Sequence, residues 1–423
     1  MRLGTVWGVT PLDDVRALVM QACVRRDPVT VPMEDARGAV LAVDVVAAEA
    51  VPPFDNTAVD GYAVRAGDVS RVPVTLRVVG EAAAGQVFDG TVAEGTAVRI
   101  MTGAPVPEGC DAIVMVEDTE RIGDDEVLVR TTVSPGDAVR RAGSDVSPGA
   151  TVFTAGTVVT AMVEGVLASI NARTVSVWPK VRVGVLSTGD ELVDDGSPLR
   201  PGQIRESNRT MLRRIIAEAG AEVVDLGIVR DDESVLEQVL RDAVGAGGCD
   251  VLVTSGGVSM GDYDVVKAVL GRIARMQWFQ IAMKPAKPFA FGLLSGADGR
   301  DVPVFGLPGN PVSSLMSFEL LARPALRQMM GHPDPHRPRV AAIVDEDVVR
   351  RRDGKTHFDR VHAHWGDDGR VHVRRTGPQG SHQLASTAMA NAIMAIDDGE
   401  GVRAGDTVTV TFLGPDAGPS ARL

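Results

Sequence analysis

The chain reads Thr254-Ser-Gly-Gly-Val-Ser-Met-Gly-Asp-Tyr-Asp264 directly after the apolar run at 251–253, and Gly306-Leu-Pro-Gly-Asn-Pro-Val-Ser-Ser314 around the end of a second run at 302–305. Each glycine-rich stretch leads into a helix-like segment. Glycine lets a backbone approach a ligand closely and adopt positive φ. A following helix N-terminus then presents unpaired N–H groups to an anion. Two such transitions in one region argue for an α/β domain that holds a phosphate-bearing or otherwise anionic small molecule.

Outward from these loops the pattern alternates between strands and helices from residue 181 onward. Residues 181–186 read as a strand, with Asn208 as a cap for a helix through 218. A strand at 222–226 precedes a helix at 234–244, for which Asp231 or Asp232 supplies a cap. The strand at 250–253, the helix at 263–273, the strand at 302–305 and the helix at 311–329 complete the period. Such alternation predicts a mostly parallel sheet covered on both faces, with ligands bound beyond the carboxyl ends of its strands.

At 423 residues the chain is too long for one hydrophobic core, so several domains are expected. Residues 51–145 alternate in short β-rich segments between glycine turns and form an inserted domain. It interrupts an elongated N-terminal domain made of 1–50 plus 146–178, which opens with an amphipathic helix at 11–26. The α/β domain spans 179–331, and three prolines within 333–338 make a linker. Residues 339–423 return to alternation and predict a C-terminal β-barrel-like domain.

The formal charge of −13 gives nucleic acid no general attraction, although a local cluster of Arg and Lys can still bind a small anion. Cys23, Cys110 and Cys249 are few, odd in number and far apart, which predicts neither disulfides nor a zinc site and suits a reduced compartment. Cys249 reads as buried packing. No leader pattern and no span of about 20 apolar residues is present, so a cytoplasmic protein without membrane partners is expected.

With these motifs in view, the chain resembles the molybdopterin molybdenumtransferase family, the MoeA and gephyrin-like proteins, over essentially its whole length. The resemblance rests on Asp55-Asn-Thr-Ala-Val-Asp60-Gly-Tyr-Ala63, Met101-Thr-Gly-Ala-Pro105, Ser187-Thr-Gly-Asp-Glu-Leu192 and Met283-Lys-Pro-Ala-Lys-Pro288, together with the two loops quoted first. It implies a homodimer of four-domain subunits whose 179–331 domain binds molybdopterin. It also implies Mg²⁺-dependent insertion of molybdate into adenylylated molybdopterin, releasing AMP and forming molybdenum cofactor. A molybdopterin adenylyltransferase is the candidate for delivering the substrate. A pyrophosphatase or nucleotidyl-processing enzyme with a related α/β domain, and a non-catalytic gephyrin-like scaffold, are the alternatives.

Several residues can be assigned against this background. Asp60 is either an Asx-turn residue or a carboxylate projecting into a cleft, and the resemblance favours the second; Thr102 joins it. Glu191 and Asp264 follow separate strands, and hard carboxylate oxygens there suit Mg²⁺. Asp262 is the better cap for the helix after that loop, and Asp190 reads as a turn residue. Ser187, Thr188, Gly189, Ser255, Gly256, Gly257 and Ser259, with Pro308, Gly309, Asn310, Pro311 and Ser313, read as a pterin or phosphate cradle.

Lys284 and Lys287 are placed to balance molybdate or phosphate charge. Arg360 and Ser381 match residues that the family's C-terminal domain contributes across the dimer cleft, and Arg140 and Asp145 line it similarly. At Ala286 the family usually carries glycine. Alanine is harmless there at negative φ and strained at positive φ.

Overall fold

A computed structural model describes residues 8–258, 264–414 and 418–419. They form two compact units, one comprising the described residues up to 29, 38–40 and those from 178 onward, the other 30–37 and 41–177.

In the first unit, helix α1 (Leu12–Ala22) starts at Pro11 and buries Val15 and Val19, one turn apart. It is shorter than the expected 11–26. The chain leaves helical geometry at Cys23, whose carbonyl, like that of Met20, accepts from the Gln328 amide at 2.9 and 2.7 Å. Orphan carbonyls at the helix end are thereby satisfied.

The α/β domain follows as β1 (Arg182–Thr188), α2 (Asn208–Glu218), β2 (Glu222–Val229), α3 (Glu233–Ala243), β3 (Val251–Ser255) and α4 (Val265–Ile273). After these come β4 (Ala274–Ile281), β5 (Pro288–Ser295), β6 (Asp301–Leu307) and α5 (Pro311–Ser317). The last helix continues through a π-helical segment, Phe318–Ala322, into α6 (Arg323–Met329). The sheet order is Val9–Thr10, β4, β5, β6, β3, β1, β2.

Strands β2, β1, β3 and β6 are parallel, as expected. Strands β4 and β5 are antiparallel additions that the strand–helix period did not predict. Both sheet faces are covered: Val251 and Val253 join one core with Val183 and Val185, whereas Leu252 joins another with Leu240 and Leu270. Such double burial explains why these strands read as continuous apolar runs. Cys249 is buried in the second core, as expected.

Strands β7 (Arg339–Val344), β8 (Thr356–Trp365), β9 (Val371–Arg375), β10 (Ala392–Ile396) and β11 (Thr407–Phe412) run in the order β8, β9, β7, β11, β10. Strand β10 pairs back onto β8, from His357↔Ile396 to Val361↔Ala392, which closes a C-terminal β-barrel. Its interior holds Val361, Ala363, Val373, Met394 and Val410. The short strand Met283–Lys284 of the α/β domain pairs with Thr356 and His357 on β8.

The second unit carries a six-stranded curled sheet, a half-barrel, in the order Thr119–Ile122, Glu126–Val129, Val74–Ala82, Thr96–Ile100, Gly61–Val64, Ala112–Met115. Alternation puts Tyr62 and Val64 in one core and Ala63, Val98 and Ile113 in another. Gly61 is sterically required, because a Cβ there would overlap the Val114 carbonyl. Among the described residues no helix is long and apolar enough to cross a membrane.

Candidate functional site

Parallel pairing of β1, β3 and β6 delivers three loops to one end of the sheet. Gly256 donates its N–H to the Leu307 carbonyl at 3.1 Å. Gly256 and Gly257 have φ of 97° and 74°. A Cβ on Gly256 would lie 3.2 Å from the Thr188 carbonyl, and one on Gly257 would overlap Val266. A Cβ on Gly309 would meet the Gly256 Cα at 3.7 Å. Glycine is needed at 256 and 257 for both backbone conformation and space, whereas at 309 the contact is an ordinary one. The resulting hollow is lined by Ser187, Thr188, Glu191, Glu206, Asn208, Ser255, Gly256 and Gly309, among others.

Pro308, Gly309 and Asn310 lead into α5, with Pro311 at its start, while Ser313 and Ser314 are buried inside that helix. Ser259 and Asp262 lie outside the described residues.

Two residues that hold this cradle were not found from sequence in these roles. Asn208 was expected to cap α2; instead its Nδ2 donates to Ser255 Oγ at 2.8 Å and to the Gly309 carbonyl at 2.6 Å. The helix start is capped by Glu206, whose carboxylate accepts the Arg209 N–H at 2.6 Å and the Thr210 N–H at 3.3 Å. Glu206 also accepts the Ser187 hydroxyl at 3.0 Å. The sequence signal was Glu206-Ser-Asn208 just before an amphipathic helix, which a search for short polar caps assigns to asparagine.

The carboxylates separate by role. Exposed Glu191 folds back over Gly189, where a Cβ would overlap its carboxylate. Asp264 caps α4 through the Lys267 N–H at 3.3 Å, the role expected of Asp262, and stands beside Gly257. Asp232 caps α3 by accepting the Ser234 and Val235 N–H groups at 2.8 and 3.1 Å, which settles the choice between Asp231 and Asp232 for that helix. Asp190 accepts the Asp231 N–H at 3.4 Å and so ties the two loops.

Lys284 and Arg360 line a single cavity of about 490 Å³ with Arg351, Arg375, Asp353 and Asp359, among others. Lys284 is exposed and Arg360 is fully buried. Among the described residues the Arg360 guanidinium donates to the carbonyls of Phe358 and Gly380, each at 3.3 Å. Among the described residues no carboxylate pairs with it, since neighbouring Asp359 is engaged by Arg375 at 2.7 Å. Burial pulls the Arg360 pKa below the usual guanidinium value, with Asp359 opposing and Arg375 reinforcing that shift. Arg360 is thus a buried cation whose nearest carboxylate, Asp359, is shared with Arg375.

The Ser381 carbonyl accepts the Val312 N–H at 3.1 Å, so the Arg360 side of the barrel meets the start of α5 within one chain. Lys287 is exposed, and its carbonyl closes the 281–287 turn by accepting the Ile281 N–H at 2.7 Å. Ala286 adopts φ 74°, the strained alternative.

In the second unit, Asp60 Oδ1 accepts both the N–H and the hydroxyl of Thr102 at 2.7 Å. These bonds hold the exposed Asp60 carboxyl below the usual carboxylate range. Arg140 pairs with Asn56 through a two-residue strand, and the Asp145 N–H donates to the Val51 carbonyl at 3.0 Å.

Among the described residues no three His, Cys, Asp or Glu side chains gather into a metal cage. Mg²⁺ does not demand one, because it commonly takes one or two carboxylates and completes its shell with water and substrate phosphate. Glu191 and Asp264 flank the glycine loops and are hard oxygen donors, so the residues present fit such an ion.

Three family profiles match the chain in order: "MoeA N-terminal region (domain I and II)" over 10–171, "Probable molybdopterin binding domain" over 184–328 and "MoeA C-terminal region (domain IV)" over 346–413. The chain is 43% identical over 395 residues to molybdopterin molybdenumtransferase 2 of Mycobacterium tuberculosis, covering 91% of this chain and 94% of that protein. It is 36% identical over 379 residues to the molybdopterin molybdenumtransferase of Haemophilus influenzae, covering 89% and 92%. The crystal structure of a molybdopterin biosynthesis MoeA protein from Pyrococcus horikoshii superimposes with a TM-score of 0.78 at 30% identity, covering 96% of this chain and all of that one.

Proposed function

The chain belongs to the MoeA and gephyrin-like family of molybdopterin molybdenumtransferases, and from that premise we propose that it inserts molybdate into adenylylated molybdopterin in a Mg²⁺-dependent reaction, releasing AMP and forming molybdenum cofactor. The observation that carries this reading is the fully buried Arg360, without a carboxylate partner among the described residues, in one cavity with Lys284. A buried guanidinium that is not ion-paired with a carboxylate, beside an exposed ammonium, suits an oxyanion.

In this reading the cradle of Ser187, Thr188 and Gly189, of Ser255, Gly256 and Gly257, and of Pro308, Gly309 and Asn310 holds the pterin and phosphate portion by backbone donors. Lys284, Lys287 and Arg360, with Ser381, hold molybdate. Glu191 and Asp264 would hold Mg²⁺. Bound there, the ion would polarise the phosphoanhydride and ease departure of AMP. No covalent enzyme intermediate is required. The working form is a cytoplasmic homodimer that receives its substrate from a molybdopterin adenylyltransferase.

The test is reconstitution of the folded protein with adenylylated molybdopterin, molybdate and Mg²⁺, following AMP and molybdenum cofactor together. Absence of both products overturns the assignment. AMP without metal incorporation supports hydrolysis instead.

A further inference from the structure

The Asn208 amide touches both glycine-rich loops at once. Its orientation is fixed chemically: the Gly309 carbonyl, 2.6 Å away, only accepts, so the atom facing it is Nδ2. The same Nδ2 reaches Ser255 Oγ at 2.8 Å. The other amide atom, Oδ1, is shielded from solvent and has no donor among the described residues. Helix α2, which carries Asn208, is held at its first turn by buried Glu206, and Glu206 is tied in turn to Ser187. The brace therefore spans the carboxyl ends of three of the parallel strands: Ser187 near the end of β1, Ser255 at the end of β3 and Gly309 just after β6.

We propose that Asn208 is a positioning residue for the pterin-and-phosphate cradle: its single NH₂ group sets the spacing of the Ser255–Gly257 and Pro308–Asn310 loops, so that their backbone donors converge on the substrate. The inference rests on the functional reading above and deepens it. The two loops follow neighbouring strands, yet beyond the Gly256–Leu307 hydrogen bond they meet mainly through glycine backbone, which has little intrinsic stiffness. An amide that donates to both supplies the rigidity that backbone donors need in order to act as a preorganised anion site. Only a side chain with two hydrogens on one atom can do so here, because Gly309 offers a carbonyl and Ser255 can orient its hydroxyl to accept.

Asn208→Asp is nearly isosteric and reverses the chemistry. An ionised carboxylate places one oxygen against the Gly309 carbonyl, with the Ser255 hydroxyl as its one donor, and leaves the other shielded without a donor among the described residues. Both effects disfavour the charge and raise the new group's pKa. A protonated carboxyl can again donate to Gly309.

The experiment measures equilibrium binding of adenylylated molybdopterin by wild type, Asn208→Ala and Asn208→Asp at pH 7.5 and pH 5.5, with thermal unfolding as the control for folding. Loss of two hydrogen bonds should weaken binding by Asn208→Ala about tenfold at both pH values. Asn208→Asp should be at least as weak at pH 7.5 and recover toward wild type at pH 5.5, each value taken as a ratio to wild type at that pH. A merely structural role would give parallel losses without pH-dependent rescue. Wild-type affinity in Asn208→Ala, or equal ratios at both pH values in Asn208→Asp, overturns the inference while leaving the functional reading intact. Wild-type protein that does not bind the pterin overturns both.

Discussion

The Ser187 hydroxyl donates to the Glu206 carboxylate at 3.0 Å, and both side chains are buried beneath the glycine cradle. That carboxylate also caps α2, so truncation strands a hydroxyl and two helix N–H groups. Glu206→Ala should destabilise the protein by about 2 kcal/mol, and Glu206→Gln, which keeps an acceptor, by about 1 kcal/mol. Urea unfolding midpoints check this; equal stability in both variants would remove Glu206 from the architecture.

Much of this region was readable in the chain because doubly covered parallel strands are continuous apolar runs and glycine marks where loops crowd. The antiparallel pair β4 and β5 was not. Ala274 begins β4 directly after Ile273 ends α4, with no glycine, proline or polar turn between them. Asn208 was misassigned for a different reason: its side chain is spent on tertiary contacts 47 and 101 residues away, which no local capping rule contains. The pairing of Lys284 with Arg360 depends on a two-residue strand joining the barrel to the α/β domain, equally invisible in a local pattern.

Ala286 is 3% exposed at φ 74°, while Ala325 is fully buried inside helix α6. Left-handed geometry costs an L-residue about 1–2 kcal/mol, which offsets the entropy and methyl-burial terms of a change to glycine. Ala286→Gly should therefore lie within about 0.5 kcal/mol of wild type, whereas Ala325→Gly should lose about 1–2 kcal/mol. Chemical denaturation of the two variants side by side decides it.

His332 is buried, and its Nδ1 faces Arg327 Nη2 at 3.1 Å. A guanidinium only donates, so Nδ1 accepts and the ring is neutral. Burial, reinforced by Arg327 and Arg323, pushes its pKa down from 6.5 to about 4. Between those values the unfolded chain binds the extra proton, so this contribution is complete above about pH 6.5 and is lost as pH falls toward 4. Wild type should lose about 2 kcal/mol more than His332→Gln between pH 7 and pH 4.5. Matching pH profiles of unfolding would refute it.

Glu191 is exposed and Asp264 caps α4, so their amide variants separate folding from chemistry. Asparagine is as good a cap as aspartate, and Asp264→Asn should keep stability within about 0.5 kcal/mol. Glu191→Gln, at an exposed position, should do the same. Both should raise the Mg²⁺ concentration needed for half-maximal turnover and lower the maximum by about tenfold or more. Normal metal dependence in both folded variants would remove them from the ion site.

Lys284, Lys287 and Arg360 share one charge but not one environment. Lys284→Gln and Lys287→Gln change exposed groups, so stability should move by no more than about 0.5 kcal/mol while molybdate affinity falls. Arg360→Lys keeps a cation but loses the planar fork that reaches Phe358 and Gly380. A lysine buried there, without a carboxylate partner, has its pKa depressed, so its charge fades as pH rises. Molybdate binding by Arg360→Lys should therefore weaken between pH 6.5 and pH 8.5 relative to wild type, in which the arginine stays charged throughout. Calorimetric titration with molybdate across that range reads the difference. A constant ratio of affinities would mean that the variant cation remains solvated and that Arg360 acts through shape rather than buried charge.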